Sequence, residues 1–476
     1  MNFVSFKFWS FLLALAGIYV VLRGVFGWKN WSAKGDQAFL LVGSLILFGA
    51  EDLKSLGIFL AIAVFVYCCI SIQVIRESSS RVVIASVVSL SLLPLLFYKY
   101  ASFLGLSDKE SSRFVDLTIP IGLSFYTFQL LSLFIDERSA SLGKSRGSSL
   151  SGTNQYHKIS FLNYLNFGSF FPQIVAGPIE RRVSLLPQLE RFRFSFSPSN
   201  LEKGIKNITF GLFYKLVIAD SLASSGSWIT AEYESPLIIH LANICFGLRI
   251  YGDFAGYSFI AVGIAQLFGV GLTWNFQSPY TQTTIRNFWR SWHVSLTQWL
   301  RDYVYIPLGG KKVLWASFVT FLVSGIWHGA GWNFIVWGSI HGIAVSFERG
   351  TTQQGQWKKL LGWWVTLLFV MSSWLPFYQW SSAVLLDKIR SLFSPCSYLV
   401  NPLPELTGLC GGYGGVVYFA GSMVLGVSVV SLEWYSRVKH GDPYQWTRNI
   451  VAQCVLIVLL VLFAPTDKNQ FIYFSF

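Results

Sequence analysis

Histidines and arginines set inside apolar sequence are the side chains able to do chemistry in this chain. Ionisable groups are expensive in apolar surroundings, so a cluster of them marks a site. Residues 249–341 hold Arg249, Asp253, Arg286, Arg290, His293, Arg301, Asp302, His328 and His341, which takes in three of the six histidines. A neutral imidazole, with an unperturbed pKa of ~6.5, takes a proton from a hydroxyl and returns it to a leaving group. Guanidinium groups beside it offer forked donors to phosphate. Asp136, Glu180, Asp253 and Asp302 sit beside aromatics or arginines and read as ion-pair partners, with a proton relay as the alternative. The chain has no Gly-x-Ser-x-Gly elbow, His-Glu-x-x-His, Walker loop or dinucleotide fingerprint, which argues against a serine hydrolase, a zinc protease and a nucleotide-driven pump.

The segment from Thr284 to Gly310 has helical periodicity. Arg286, Arg290, His293, Thr297 and Arg301 recur three or four residues apart and share one face, whereas Phe288, Trp292, Leu296, Trp299 and Tyr303 share another. Two readings fit this basic, aromatic-backed helix. It lies on anionic lipid, or it lines a polar cavity in which the arginines meet phosphate and His293 meets the reacting group.

The second candidate is the run Gly325-Ile-Trp-His328-Gly-Ala-Gly-Trp332-Asn333 between apolar stretches. A lone membrane histidine is commonly a hydrogen-bond partner between helices. Here Gly325 with Gly329, and Gly338 with Gly342, form small-xxx-small pairs, which let either a neighbouring helix or a ligand approach the backbone closely. On a continuous helix His341 falls roughly opposite His328, which makes it a packing or supporting residue unless the glycines break the helix.

The elements that position these residues are transmembrane helices. Of 476 residues, 53% are hydrophobic and 12% charged, and the mean hydropathy is +0.50; soluble domains are about a quarter charged. The 42 Phe, 21 Tyr and 19 Trp exceed what one soluble core hides. The six cysteines have no metal-ligand spacing and read as packing residues. Apolar runs at about 37–50, 55–75, 82–98, 117–135, 205–222, 236–270, 313–346, 360–378, 413–432 and 449–464 succeed a first span before Trp28. With the ~20 residues needed per crossing, they predict roughly ten or eleven spans plus re-entrant segments. No solenoid repeat or second domain is evident, so residues 1–476 read as a single membrane-embedded domain.

The net charge of +13 first reads as topology. The odd early loops hold Arg23, Lys29, Lys34, Arg76, Arg81, Arg138, Lys144, Arg146 and Lys158, against Lys54, Lys99, Lys109 and Arg113 in the even ones. The positive-inside rule then puts the odd loops in the cytoplasm and the N-terminus outside. The stretch 138–158, rich in Ser, Gly, Lys and Arg, reads as a flexible cytoplasmic loop. Nucleic acid is not needed to account for the charge.

Several separated blocks carry a resemblance. They are Phe288-Trp289-Arg290-Ser291-Trp292-His293, then Trp299-Leu-Arg301-Asp302 through Pro307-Leu-Gly309-Gly310, Trp327-His328-Gly329-Ala-Gly331-Trp332-Asn333-Phe334, Trp337-Gly338 and His341-Gly342. Upstream stand Ser124 to Gln129, Phe171 to Pro178 and Tyr251 to Ser258, and Phe471 to Phe476 stands at the far end. Together these resemble the membrane-bound O-acyltransferase family, most of all its alginate O-acetyltransferase branch, over a core of about 117–345.

The resemblance implies a ring of tilted helices around a tunnel in a bacterial inner membrane, with no bound cofactor. The acyl donor, acetyl-CoA or a carrier thioester, enters from the cytoplasm and the acceptor from the other side. His328 matches the family's invariant histidine and His293 its second polar site, so they resemble the catalytic pair. Arg286, Arg290 and Arg301 become candidate donor-phosphate ligands, and Trp327, Trp332 and Asn333 candidate substrate-binding residues. The branch implies O-acetylation of a cell-surface or exported polysaccharide, with an extracytoplasmic acetyltransferase and export machinery as partners. Transfer of D-alanyl or another acyl group on the same fold is the near alternative, and a polytopic transporter the distant one.

Overall fold

The computed structural model describes residues 3–25, 32–101, 103–105, 118–143, 158–175, 177–194, 197–233, 235–348, 355–465 and 471–472. Among them every regular element is helical. Eight helices are long and apolar enough to cross a bilayer: α1 (Phe6–Val25), α2 (Ala33–Glu51), α3 (Leu53–Ser71), α4 (Arg81–Tyr100), α6 (Pro198–Ser225), α7 (Pro236–Leu267), α12 (Gln356–Tyr378) and α13 (Tyr413–His440). With no water to satisfy N–H and C=O groups, a helix closes its hydrogen bonds within the segment. Their outward faces are apolar, as at Leu13, Val82, Leu368 and Val417. A water-facing surface would carry polar groups there; lipid wants apolar ones.

Among the described residues these eight meet the length and apolarity of a crossing, against the roughly ten or eleven spans the apolar runs predict. The run 117–135 belongs to α5 (Leu123–Ser141), which ends in Asp136-Glu137-Arg138 and is buried along most of its length. The run 313–346 is two short helices, α10 (Ala316–His328) and α11 (Trp332–Phe347), separated by extended backbone at Gly329 and Gly331. Neither reaches the ~20 residues of a crossing. The last run is α14 (Ile450–Phe463), of 14 residues. Hydropathy counts apolar length, and it does not register a glycine turn that folds one run into a hairpin.

Contacts divide the chain into two compact units, Met1–Ile205 with Ala261–Thr273, and Lys206–Ile260 with Trp274–Phe476. In the first, Asp36 in the opening turn of α2 is fully buried; it accepts the Tyr19 hydroxyl at 2.7 Å, and Arg193 lies 3.5 Å away. Glu180, expected to be ion-paired, instead accepts the Thr273 main-chain N–H at 2.5 Å and the Ser184 hydroxyl at 2.6 Å. Directed donors compensate a buried carboxylate as a cation would. Lys29, Lys109, Arg113, Lys144 and Arg146, most of the 138–158 loop and the last four residues lie outside the described residues.

In the second unit Lys215 on α6 lies 2.7 Å from both Asp220 and Asp253, all three buried. The second oxygen of Asp253 accepts the Ile472 N–H at 2.6 Å. Asp253 is thus ion-paired, as its setting in the sequence predicts. The second unit also holds α8 (Ile285–Ser291), α9 (Val294–Leu300) and the α10–α11 hairpin, which carry the candidate site.

Candidate active site

The segment from Thr284 is not the single helix its periodicity predicts. It breaks at Trp292 and His293, and His293 adopts the left-handed conformation, φ 42° and ψ 55°. A non-glycine residue rarely sits there, at a cost of about 1–2 kcal/mol, unless its surroundings hold it. The break frees main-chain groups on both sides, and the stretch before α8 takes them up. Gln277 N–H donates to Ser291 O and Val294 N–H to Asn275 O, both at 3.0 Å, while the Asn275 side chain accepts Ser295 N–H at 3.1 Å. A helix-period pattern does not show this interruption, because the residues that compensate it are ten to twenty positions upstream.

Other contacts fix the start of α8. Thr284 caps it by accepting the Asn287 N–H, and Glu348 at the end of α11 accepts Ile285 N–H at 2.8 Å and Arg286 N–H at 2.7 Å. A carboxylate on the orphaned N–H groups of a first turn also opposes the helix dipole.

α10 and α11 pack with almost no side chain between them. A methyl group on Gly325 would strike Phe334 O and lie 3.3 Å from the Cα of Gly338, and one on Gly338 would strike Phe321 O. The two open readings of the small-residue pairs thus resolve to a helix neighbour. This hairpin carries His328 as the last residue of α10.

A cavity of about 530 Å³ lies against these elements. Arg286, Arg290, His293, Thr297, Arg301 and His328 all line it, so the structure brings the arginine stripe and both histidines together. The cavity reading of the basic segment stands over the lipid-surface one. Trp292 and Leu296, expected on the opposite face, line it as well, since the break at His293 turns α9 relative to α8. The rim is cationic and exposed at Arg290, Arg301 and Lys311, and the inner end is buried at His293 (1% exposed) and His328 (4%).

The cations are not equivalent. Arg301 is bound through two nitrogens to Asp302, at 2.7 and 3.1 Å. Arg286 and Arg290 make long contacts of 3.4 Å to neutral oxygens, Val345 O and the Asn287 side chain. Lys311, which the sequence reading missed, stands on the same rim. Ser317, Thr320 and Ser324, buried, line the cavity too, and their spacing places them on the His328 face of α10; that periodicity was the available signal.

The histidines sit in an aromatic shell. The His293 ring meets Phe254 edge-on, with centroids 4.5 Å apart, and His328 meets Trp337 at 5.1 Å and Phe377 at 5.2 Å. Trp327 is buried beside both. Of the remaining residues singled out from the sequence, Trp332 is 66% exposed and does not line the cavity. Asn333 is buried and donates to Pro376 O at 3.1 Å, tying α11 to the last turn of α12. His341 accepts the Trp289 indole N–H at 3.3 Å, a supporting position behind a cavity wall. Among the described residues no three His, Cys, Asp or Glu side chains are placed to hold a metal ion. The arrangement suits proton transfer by imidazole at the dry end of a cavity whose open end attracts anions.

A polytopic helical membrane protein with imidazoles at the buried end of a cation-rimmed cavity has the layout of an acyl-transfer enzyme. The membrane-bound O-acyltransferase family model matches residues 103–386, and the chain belongs to that family. It is therefore an acyltransferase, and the match runs well beyond the core expected from the sequence blocks. It is 30% identical to the peptidoglycan O-acetyltransferase of Helicobacter pylori, covering 92% of this chain and 91% of that protein. It is 31% identical to the probable alginate O-acetylase of Azotobacter vinelandii, over 79% and 77% of the two chains. The teichoic acid D-alanyltransferase of Bacillus subtilis is 25% identical, over 76% and 93%.

Proposed function

We propose that this chain moves an acetyl group from a cytoplasmic thioester across the membrane for O-acetylation of a cell-envelope or exported polysaccharide. The observation that carries this reading is the position of His293 and His328 at the buried end of one cavity whose rim is Arg286, Arg290, Arg301 and Lys311. In it His328 takes the proton of the acceptor hydroxyl as that oxygen bonds to the acetyl carbonyl carbon. The carbon–sulfur bond breaks, and the departing thiolate regains a proton. His293 positions the reacting groups, and the rim holds the phosphates of acetyl-CoA or of a carrier's phosphopantetheine. Both imidazoles are buried among aromatic rings, which keeps bulk water from the transferred proton.

Acetyl is favoured over D-alanyl because the relatives named for O-acetylation are about 30% identical and the D-alanyltransferase is 25%. A separate extracytoplasmic acetyltransferase completes transfer in this scheme, beside polysaccharide export machinery, with the N-terminus outside the cytoplasm of a bacterial inner membrane. The test is purified protein in liposomes given labelled acetyl-CoA or a D-alanyl carrier thioester. Release of thiol from acetyl-CoA, lost in His328→Ala, is the expected result, with label appearing on polysaccharide once the extracytoplasmic acetyltransferase is added. Wild-type rates in a correctly inserted His328→Ala protein overturn the role of His328, and turnover with the D-alanyl thioester alone overturns the choice of acyl group.

A further inference from the structure

We infer that Asn275 is a positioning residue that holds His293 in its working conformation. This rests on the proposed place of His293 in the acyl-transfer site, but its geometry stands apart from that reading. His293 lies at the break in a segment with helical periodicity, and its backbone there is left-handed. A histidine there relaxes toward right-handed backbone unless neighbouring groups over-determine it.

Asn275 supplies two hydrogen bonds of that restraint. It is fully buried. Its carbonyl accepts the N–H of Val294, the residue after His293, and its side-chain oxygen accepts the N–H of Ser295. It thereby satisfies two of the orphaned donors that open α9, as a cap does, although it lies nearly twenty residues away in the chain. The side-chain amide donates in turn to the Ser258 hydroxyl on α7, at 3.2 Å. Two residues on, Gln277 N–H holds Ser291 O on the other side of the break. The backbone flanking His293 is therefore clamped on both sides by one short stretch, and that stretch is anchored to a transmembrane helix through the Asn275 amide.

The side-chain chemistry fits asparagine. One end must accept a main-chain N–H and the other must donate to a hydroxyl, in a volume that excludes water. Aspartate keeps the acceptor and, with the Ser258 hydroxyl donating instead, keeps the anchor. Leucine has nearly the same volume and can do neither, so the buried Ser295 N–H loses the acceptor that Asn275 gives it. The imidazole then moves within the cavity.

The experiment uses the full-length protein in detergent with Asn275→Leu, Asn275→Asp and Ser258→Ala. Two readouts are taken: turnover of acetyl-CoA, and modification of each histidine by diethyl pyrocarbonate detected by mass spectrometry. Asn275→Leu is expected to lower kcat by about tenfold to a hundredfold, the penalty for displacing a reacting group by an ångström, with KM for acetyl-CoA little changed. His293 is expected to label faster while His341, buried in the same unit, labels as before. Asn275→Asp restores most of both, and Ser258→Ala gives a smaller shift in the same direction. Unchanged labelling of His293 in Asn275→Leu overturns the inference, as does an equal rise at His341, which would report general loosening. If Asn275→Leu does not fold, the selective labelling shift in Ser258→Ala decides. Selective labelling with no change in turnover leaves the positioning intact and removes His293 from the catalytic reading.

Discussion

His293 and His328 are joined through a single indole: the Trp327 ring lies 5.9 Å from the first and 4.9 Å from the second, edge-on to both. The two imidazoles come from different elements, the break before α9 and the end of α10, and this ring touches both. Trp327, a candidate substrate-binding residue in the sequence, makes edge contacts with both histidines. Replacing it with leucine is expected to lower acetyl transfer by up to about a hundredfold, while phenylalanine, which keeps an aromatic edge, loses far less. Steady-state thiol release from acetyl-CoA measures both.

The histidines themselves should divide by severity. His328→Ala is expected to reduce transfer by about 10²–10⁴-fold, the range for losing a general base, without changing the amount of inserted protein. Single-turnover transfer of labelled acetyl, scaled to protein recovered from the membrane, checks this.

Rim charges should act on donor binding. Arg286→Gln and Arg290→Gln are each expected to raise KM for acetyl-CoA about tenfold, equivalent to ~1.4 kcal/mol, with kcat nearly unchanged. Arg301→Gln should do less, because Asp302 already occupies that guanidinium. Acetyl-pantetheine, which lacks phosphate, should show no such dependence; equal effects on both donors would remove the phosphate-binding role.

The α10–α11 contact should be intolerant of any side chain. Gly325→Val is expected to destabilise the protein by at least about 1–3 kcal/mol, as overpacking does, because backbone rather than a movable side chain stands in the way. Gly421→Ala on α13, where a methyl group meets nothing within 4 Å, is the control and should leave the melting temperature in detergent unchanged or raised.

Lys215 should be among the most sensitive charges in the chain. Methionine there leaves Asp220 and Asp253 buried without their cation, for an expected loss of about 3–5 kcal/mol. Exposed Lys358→Met should stay within about 0.5 kcal/mol. Thermal melts of the two variants give the comparison.

Much of this layout was legible in the sequence, for physical reasons. Apolar runs report the long helices, because lipid imposes both composition and a minimum length. The spacing of Arg286, Arg290, His293, Thr297 and Arg301 reports a shared surface, and all five do line one cavity. Three things were not legible. The break at His293 depends on Asn275 and Gln277, and no local pattern ties those positions to α9. The run holding His328 folds back on itself because Gly329 and Gly331 carry no side chain in a crowded turn, which hydropathy does not weigh. Asn333 has the look of a substrate ligand in its aromatic motif, yet its amide is used to close a helix end.

Because α10 ends at His328, the carbonyl groups of its last turn face no further helical N–H, and they give that end of the helix a partial negative charge. In the proposed reaction the His328 imidazole gains a proton while an alcohol becomes an ester. In that scheme the positive charge forms on a residue of the last turn, at the pole of the helix dipole that favours a cation. The glycine turn that shortens this helix below the thickness of a bilayer is, on the same geometry, what places its negative pole at the histidine.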